Sequence, residues 1–144
     1  MWRLIALSGV CCCIVAASCG SSDRDESAVE PVRARVERLY AAAAAQDGRA
    51  LCRQLARAWR ERLDRRPPRC ASESLAVVLG PGPPRNLRIG RIDLAGDRAT
   101  VRASAVRGHG AAERTYRQVV ELEREGGRWV VARSAPSSSG ERNE

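Results

Sequence analysis

The stretch "PGPPR" at Pro81 to Arg85 divides the chain into two regimes. Before it, apolar residues recur with a helical period. Beyond it, they alternate with polar ones. A chain that changes period from 3.6 to 2 at a proline-rich break folds neither as a helical bundle nor as an all-β sandwich. It has to pack helices on a sheet. With 144 residues there is room for one such domain.

In the helical half, residues 27 to 46 read as a helix. Ser27 and Glu30 have capping-box spacing, and Pro31 suits a first turn. Val29, Val32, Val36, Leu39, Tyr40 and Ala43 share one face, while Arg33, Arg35, Glu37 and Arg38 occupy much of the rest. Asp47-Gly48 interrupts the pattern, and Asp47 is placed to cap a second helix that Pro67 and Pro68 end. Its apolar face is Leu51, Cys52, Leu55, Trp59 and Leu63. A short third helix is expected from Arg69 to Leu79, with Leu75, Val78 and Leu79 buried and Gly80 as its stop.

In the strand half, Gly96-Asp97 reads as a two-residue hairpin turn with Gly in the first place, as type II′ requires. That register sets Leu94 against Ala99 and Ile92 against Val101 on one face. Asp93 against Thr100 and Arg91 against Arg102 fall on the other. Leu87 and Ile89 are out of phase with Ile92 and Leu94, so a bulge is expected near Gly90. A second hairpin spans Arg114 to Arg133 around Gly126-Gly127. It opposes Leu122 with Val131 and aims Tyr116, Val120, Leu122, Trp129 and Val131 at the core. The tail 135–144 has almost nothing apolar to pack and is expected to be disordered.

Composition limits the partners. Phe is absent, so Ala, Val, Leu and three Trp must build the core. All 25 basic residues are Arg, and the formal net charge is +8. Arg, Ala and Gly use GC-rich codons, whereas Lys and Phe do not, so a GC-rich bacterial genome accounts for much of the bias. The charge still favours anionic neighbours such as phospholipid head groups or wall polymers. Arg49, Arg53, Arg57 and Arg60 recur at helical spacing and would form a basic stripe able to contact an anionic surface; an ordinary solvated helix face has the same appearance. No stacking aromatics lie among these arginines, which argues against nucleic acid.

The N-terminus carries a targeting signal. Met1 to Arg3 is a short positive start, and Leu4 to Ala17 is a nearly uninterrupted apolar run, too short for the roughly 20 residues a membrane-spanning helix needs. Ala16, Ala17 and Ser18 are small, and Cys19 follows. This arrangement resembles the lipobox of bacterial lipoproteins, although Ala16 stands where that family prefers Leu. The resemblance implies cleavage after Ser18 and a diacylglycerol on Cys19, with Cys11, Cys12 and Cys13 discarded as apolar filler. Ala16-Ala17-Ser18 also resembles the site of the general signal peptidase, which would release an unanchored chain. Two or more acyl chains hold firmly where one does not. The expected location is therefore the extracytoplasmic face of the bacterial cell membrane. Residues 1–18 would be the signal, 19–27 the lipidated Cys and a flexible tether, 28–134 the domain and 135–144 the tail.

Removal of the signal leaves Cys52 and Cys70 beside the lipidated Cys19, and outside the cytoplasm an even pair reads as a disulfide. A metal would need more ligands than a single His, His109, and no CxxC spacing occurs.

Three helices followed by a bent four-stranded antiparallel meander resemble the nuclear transport factor 2-like (SnoaL-like) superfamily, and in particular its small secreted lipoproteins. The likeness is carried by "VERLYAAAAAQDGRALCRQL", "CASESLAVVL", "DLAGDRATVRASA" and "LEREGGRWVV". It implies an α+β cone in which the helices cover the concave side of a curved sheet, often around a pocket. Tyr40, Trp59, Tyr116 and Trp129 are the candidate lining. Some relatives of this plan are isomerases or dehydratases of ketosteroid isomerase type, using a carboxylate base in the cone; others have no known activity. No carboxylate here matches such a base, since the register turns Asp93 away from the helices. His109, between two glycines, reads as a solvated loop residue. No catalytic residue, cofactor motif or metal site is assigned. The expected function is a membrane-tethered, non-catalytic module that binds a small apolar ligand or a partner protein. The alternative is a small-molecule enzyme using the cone.

Overall fold

The computed structural model describes residues 21–65, 70, 82–108 and 110–137. Helix α1 spans Ser21–Ala44, α2 Gly48–Cys52 and α3 Arg57–Asp64. Strands β1 (Arg85–Ala95), β2 (Arg98–Arg107), β3 (Arg114–Glu125) and β4 (Arg128–Pro136) form one antiparallel sheet in the order β1-β2-β3-β4. The expected α+β architecture is present, with helices at the start of the chain and a four-stranded meander after it.

The helices differ from expectation in two places. First, α1 begins at Ser21, so residues 21–27 are helical rather than a loose tether. Ser27 is therefore not its cap, and Pro31 lies inside the helix. Second, the segment read as one helix from Asp47 to the Pro67 region is broken. Asp47 does cap α2, its carboxylate accepting the Ala50 N–H at 2.9 Å, but α2 stops at Cys52. Residues 54–56 leave the helical path and run beside β4. There the Ala56 N–H donates to the Val131 carbonyl at 2.8 Å, and the Val131 N–H donates to the Gln54 carbonyl at 2.8 Å. Two backbone bonds to the sheet thus replace helical ones, and Leu55 bridges Val131 in parallel. The third expected helix, Arg69 to Leu79, lies outside the described residues apart from Cys70.

The hairpins follow the sequence closely. Leu94 pairs with Ala99, Ile92 with Val101 and Asp93 with Thr100. Gly96 supplies the positive φ, +59°, that the tight turn needs. The register shifts between Ile89 and Ile92, at the expected bulge, and this removes the expected Arg91–Arg102 pairing. A further shift lies between Arg85 and Arg88. In the second hairpin Leu122 pairs with Val131, and Gly126 and Gly127 take φ of +55° and +78°. β4 continues to Pro136, so the first two residues of the expected disordered tail are strand; residues 138–144 lie outside the described part.

The core sits between α1 and the sheet. Val32, Val36, Leu39, Leu51, Val101, Val120 and Val131 have no solvent exposure, and Leu55 and Leu122 are nearly as buried. The inward positions of β2 carry small side chains, Ala99, Ala103 and Ala105, all buried in this core. Cys52 and Cys70 are joined by a disulfide with Cα atoms 5.8 Å apart. Among the described residues no helix is long and apolar enough to cross a membrane.

Candidate functional site

Strand β2 places an arginine where its pattern calls for an apolar residue. Ala99, Val101, Ala103 and Ala105 alternate inward, and Arg107 continues that phase. Its side chain is only 2 % exposed. It donates from Nη1 to the Gly82 carbonyl at 2.7 Å, and its guanidinium lies 5.8 Å from the centre of the Tyr116 ring. Tyr40, from α1, approaches the same end of the core and donates its hydroxyl to Oε1 of Gln118 on β3 at 2.8 Å. Gln118 and Tyr40 are both buried. These residues form a polar end to an otherwise apolar interior.

Burial lowers the pKa of Arg107, while Tyr40 and Tyr116 act in the opposite direction. Burial pushes the Tyr40 phenol up to about 12, a shift that the nearby Arg107 guanidinium reduces. Both Arg107 and Tyr40 therefore present N–H or O–H donors around neutral pH. A folded-state pKa above the unfolded value makes Tyr40 stabilise the fold fully below pH 10. That contribution is lost as pH rises from about 10 to about 12, and it amounts to roughly 2–3 kcal/mol. The chain has two Tyr, so the Tyr116→Phe variant isolates Tyr40. Titrated at 295 nm, that variant should ionise close to pH 12; a midpoint near 10 would contradict the burial of Tyr40.

Among the described residues, three of the expected pocket-lining side chains are buried and the fourth is not. Tyr40 and Trp59 are in the core, and Trp129 is buried with the Arg124 guanidinium 4.7 Å above its ring. Tyr116 is 37 % exposed, which corrects its expected place in the core. It shares the inward phase of Val120 but lies toward the end of the sheet. There it faces an open depression of about 410 Å³ with Thr115, Arg117, Pro136 and Ser137. Arg107 and Gln118 were not foreseen as site residues. A charged residue in the apolar phase of β2 was the available signal.

The basic stripe is also rearranged. Arg49 lies on α2 and Arg53 caps it, whereas Arg57 and Arg60 lie on α3, so no single helix carries all four. All four are exposed, and Arg57 pairs with Glu61 at 2.7 Å. Asp93 faces solvent and pairs with Arg91 at 2.6 Å. Cys19 and His109 lie outside the described residues. Among the described residues no three His, Cys, Asp or Glu side chains are grouped to hold a metal.

The architecture has solved counterparts. A SEC-C motif-containing protein from Rhodopseudomonas palustris superposes with a TM-score of 0.55 at 19% identity, over 69% of this chain and 73% of that one. An NTF-2-like protein of unknown function from Shewanella oneidensis MR-1 superposes with a TM-score of 0.54 at 15% identity, over 77% of this chain and 99% of that one. The fold is nuclear transport factor 2-like. At these identities the likeness concerns fold alone. No family model matches the sequence, and no curated protein matches it.

Proposed function

We propose that the chain is an extracytoplasmic lipoprotein, anchored through Cys19, whose nuclear transport factor 2-like domain is a non-catalytic binding module for a small apolar ligand. The reading rests on one observation above all: the buried polar groups at the end of the apolar interior are Arg107, Gln118 and a Tyr40 held protonated. Proton abstraction calls for a group that accepts a proton near neutral pH. An arginine, an amide and a phenol of high pKa instead suit hydrogen-bonding to a ligand's polar end. Exposed Arg49, Arg53 and Arg60 would add weak, non-specific attraction to anionic head groups or wall polymer.

The anchor and the ligand are tested separately. Replacing Cys19 by Ala should move the protein from the membrane fraction to the medium and abolish labelling by a fatty-acid analogue. A variant that stays in the membrane with unchanged mass would exclude lipidation at Cys19. For the ligand, cis-parinaric acid combines an apolar chain with a polar head, and Trp59 and Trp129 serve as energy donors. Titration should give saturable transfer from tryptophan, weakened several-fold in Arg107→Gln. Absence of transfer would end the small-ligand reading and leave a protein partner.

A further inference from the structure

The outer face of the sheet, away from the helices, carries a feature that the sequence conceals. The register pairs Arg88 of β1 with Ser104 of β2, and Ser104 with Arg117 of β3. The three residues therefore form a row across three adjacent strands. Antiparallel neighbours are about 4.8 Å apart, so the two arginine backbones stand roughly 10 Å apart with a serine between them. Both side chains can reach the serine from opposite sides. Thr115 sits two residues before Arg117 on the same face of β3, and Asn86 two before Arg88. These five residues line an open basin of about 400 Å³.

No neighbouring acid among the described residues neutralises the two positive charges in this basin. Among the described residues neither Arg88 nor Arg117 has a carboxylate within ion-pair distance. By contrast Arg33, Arg57, Arg85, Arg91 and Arg124 each have one. Glu113, beside the basin's end, is held by Arg85. Asn86 is also in the left-handed region, at φ +52°, a conformation found sparingly outside glycine. It falls at the register shift between Arg85 and Arg88, so the irregularity lies at the basin's edge. The result is two guanidinium forks, two hydroxyls and an amide around a solvent-filled hollow. Guanidinium forks match the spacing of tetrahedral oxyanions, and hydroxyls supply further donors.

We infer that the Arg88–Ser104–Arg117 row is a binding site for a phosphate oxyanion. The same chemistry is offered by a free phosphate monoester and by the phosphodiester of a phospholipid head group. The site lies on the opposite face of the sheet from the helix-covered interior and is independent of any ligand bound there.

The test uses the full-length chain in neutral detergent, with inorganic phosphate as one probe and glycerophosphoglycerol, the deacylated head group of phosphatidylglycerol, as the other. Binding is read from arginine Nε–Hε resonances, which report directly on guanidinium contacts. At least one probe should give saturable shifts of Arg88 and Arg117. The double variant Arg88→Gln, Arg117→Gln should weaken that binding by tenfold or more. Both side chains are exposed, and unchanged core resonances will show that the fold is intact. Shifts with phosphate alone assign a monoester, and shifts with the diester assign a head group. Arg88→Lys with Arg117→Lys keeps the charge but loses the forks, and should also weaken binding severalfold. The inference is overturned by flat titrations with both probes. It is equally overturned by binding that survives the glutamine pair, or by lysine variants that bind as tightly as the native chain, since then bulk charge alone is responsible.

Discussion

Truncating Leu55 to Ala should destabilise the domain by about 2–5 kcal/mol, the cost of removing a fully packed leucine and leaving part of its cavity. Leu55 is 1 % exposed and lies in the segment that leaves the helical path to bond with β4. Its side chain holds that segment against the core while the backbone on either side bonds to Val131. The neighbouring Gln54→Ala change is the control. The carbonyl of Gln54, not its side chain, accepts the Val131 N–H, so the ladder survives. Two side-chain hydrogen bonds are lost, Arg35 to Gln54 at 2.5 Å and Gln54 to the Ala50 carbonyl at 3.2 Å, each worth about 1 kcal/mol. Urea denaturation of both variants should give the lower midpoint for Leu55→Ala. Equal midpoints would mean that the segment is held by its backbone bonds and not by packing.

Removing the Cys52–Cys70 disulfide is expected to cost about 3 kcal/mol, the chain-entropy value for a loop of roughly this size. For a domain near 100 residues that corresponds to a fall in Tm of roughly 10–20 °C. Alanine is the better replacement, because Cys70 is 5 % exposed and a serine there would bury a hydroxyl. The wild-type protein under reducing conditions should unfold near the temperature of the Cys52→Ala, Cys70→Ala variant. The variant itself should be indifferent to reductant. A wild-type Tm unmoved by reduction would show that the loop is held by other contacts.

Both hairpins were legible because their evidence is local. Alternation, a Gly-containing turn and the out-of-phase pair Leu87–Ile89 place both turns and the bulge near Gly90 where the structure has them. The Arg91–Arg102 pair is lost, however, and the shifts between Arg85 and Arg88 and between Glu121 and Leu122 were not foreseen. The break after Cys52 was not legible. Leu51, Leu55 and Trp59 keep helical spacing, and "RQLARA" contains no breaker. What decides the conformation is a pair of backbone bonds to a residue more than seventy positions away, and no window around residue 54 contains that information. Tyr116 illustrates a different limit. Its phase along β3 is as expected, but phase gives the side of the sheet and not whether a helix covers that point. The Arg88–Ser104–Arg117 row was hidden for a third reason. It depends on the register shifts of β1, so counting back from the turn without them pairs the wrong residues.

The early start of α1 changes what a lipid on Cys19 would mean mechanically. Ser21–Ala44 is 24 residues, a rod of roughly 36 Å, and from Ser27 onward its first fully buried residue is Val32. From Ser21 to Val32 the helix rises about 16 Å, with Ala28 and Val29 already partly buried. A disordered leash would let the domain wander and present any side to the bilayer. A rod with a lipid two residues before its first turn would instead act as a boom, setting a minimum stand-off and limiting the tilt of the body. Pro31, just ahead of Val32, removes one backbone hydrogen bond at the base of that boom. Bending should concentrate there, so a domain lipidated at Cys19 would swing on a short arc above the lipid surface, with its height and aspect governed by one joint.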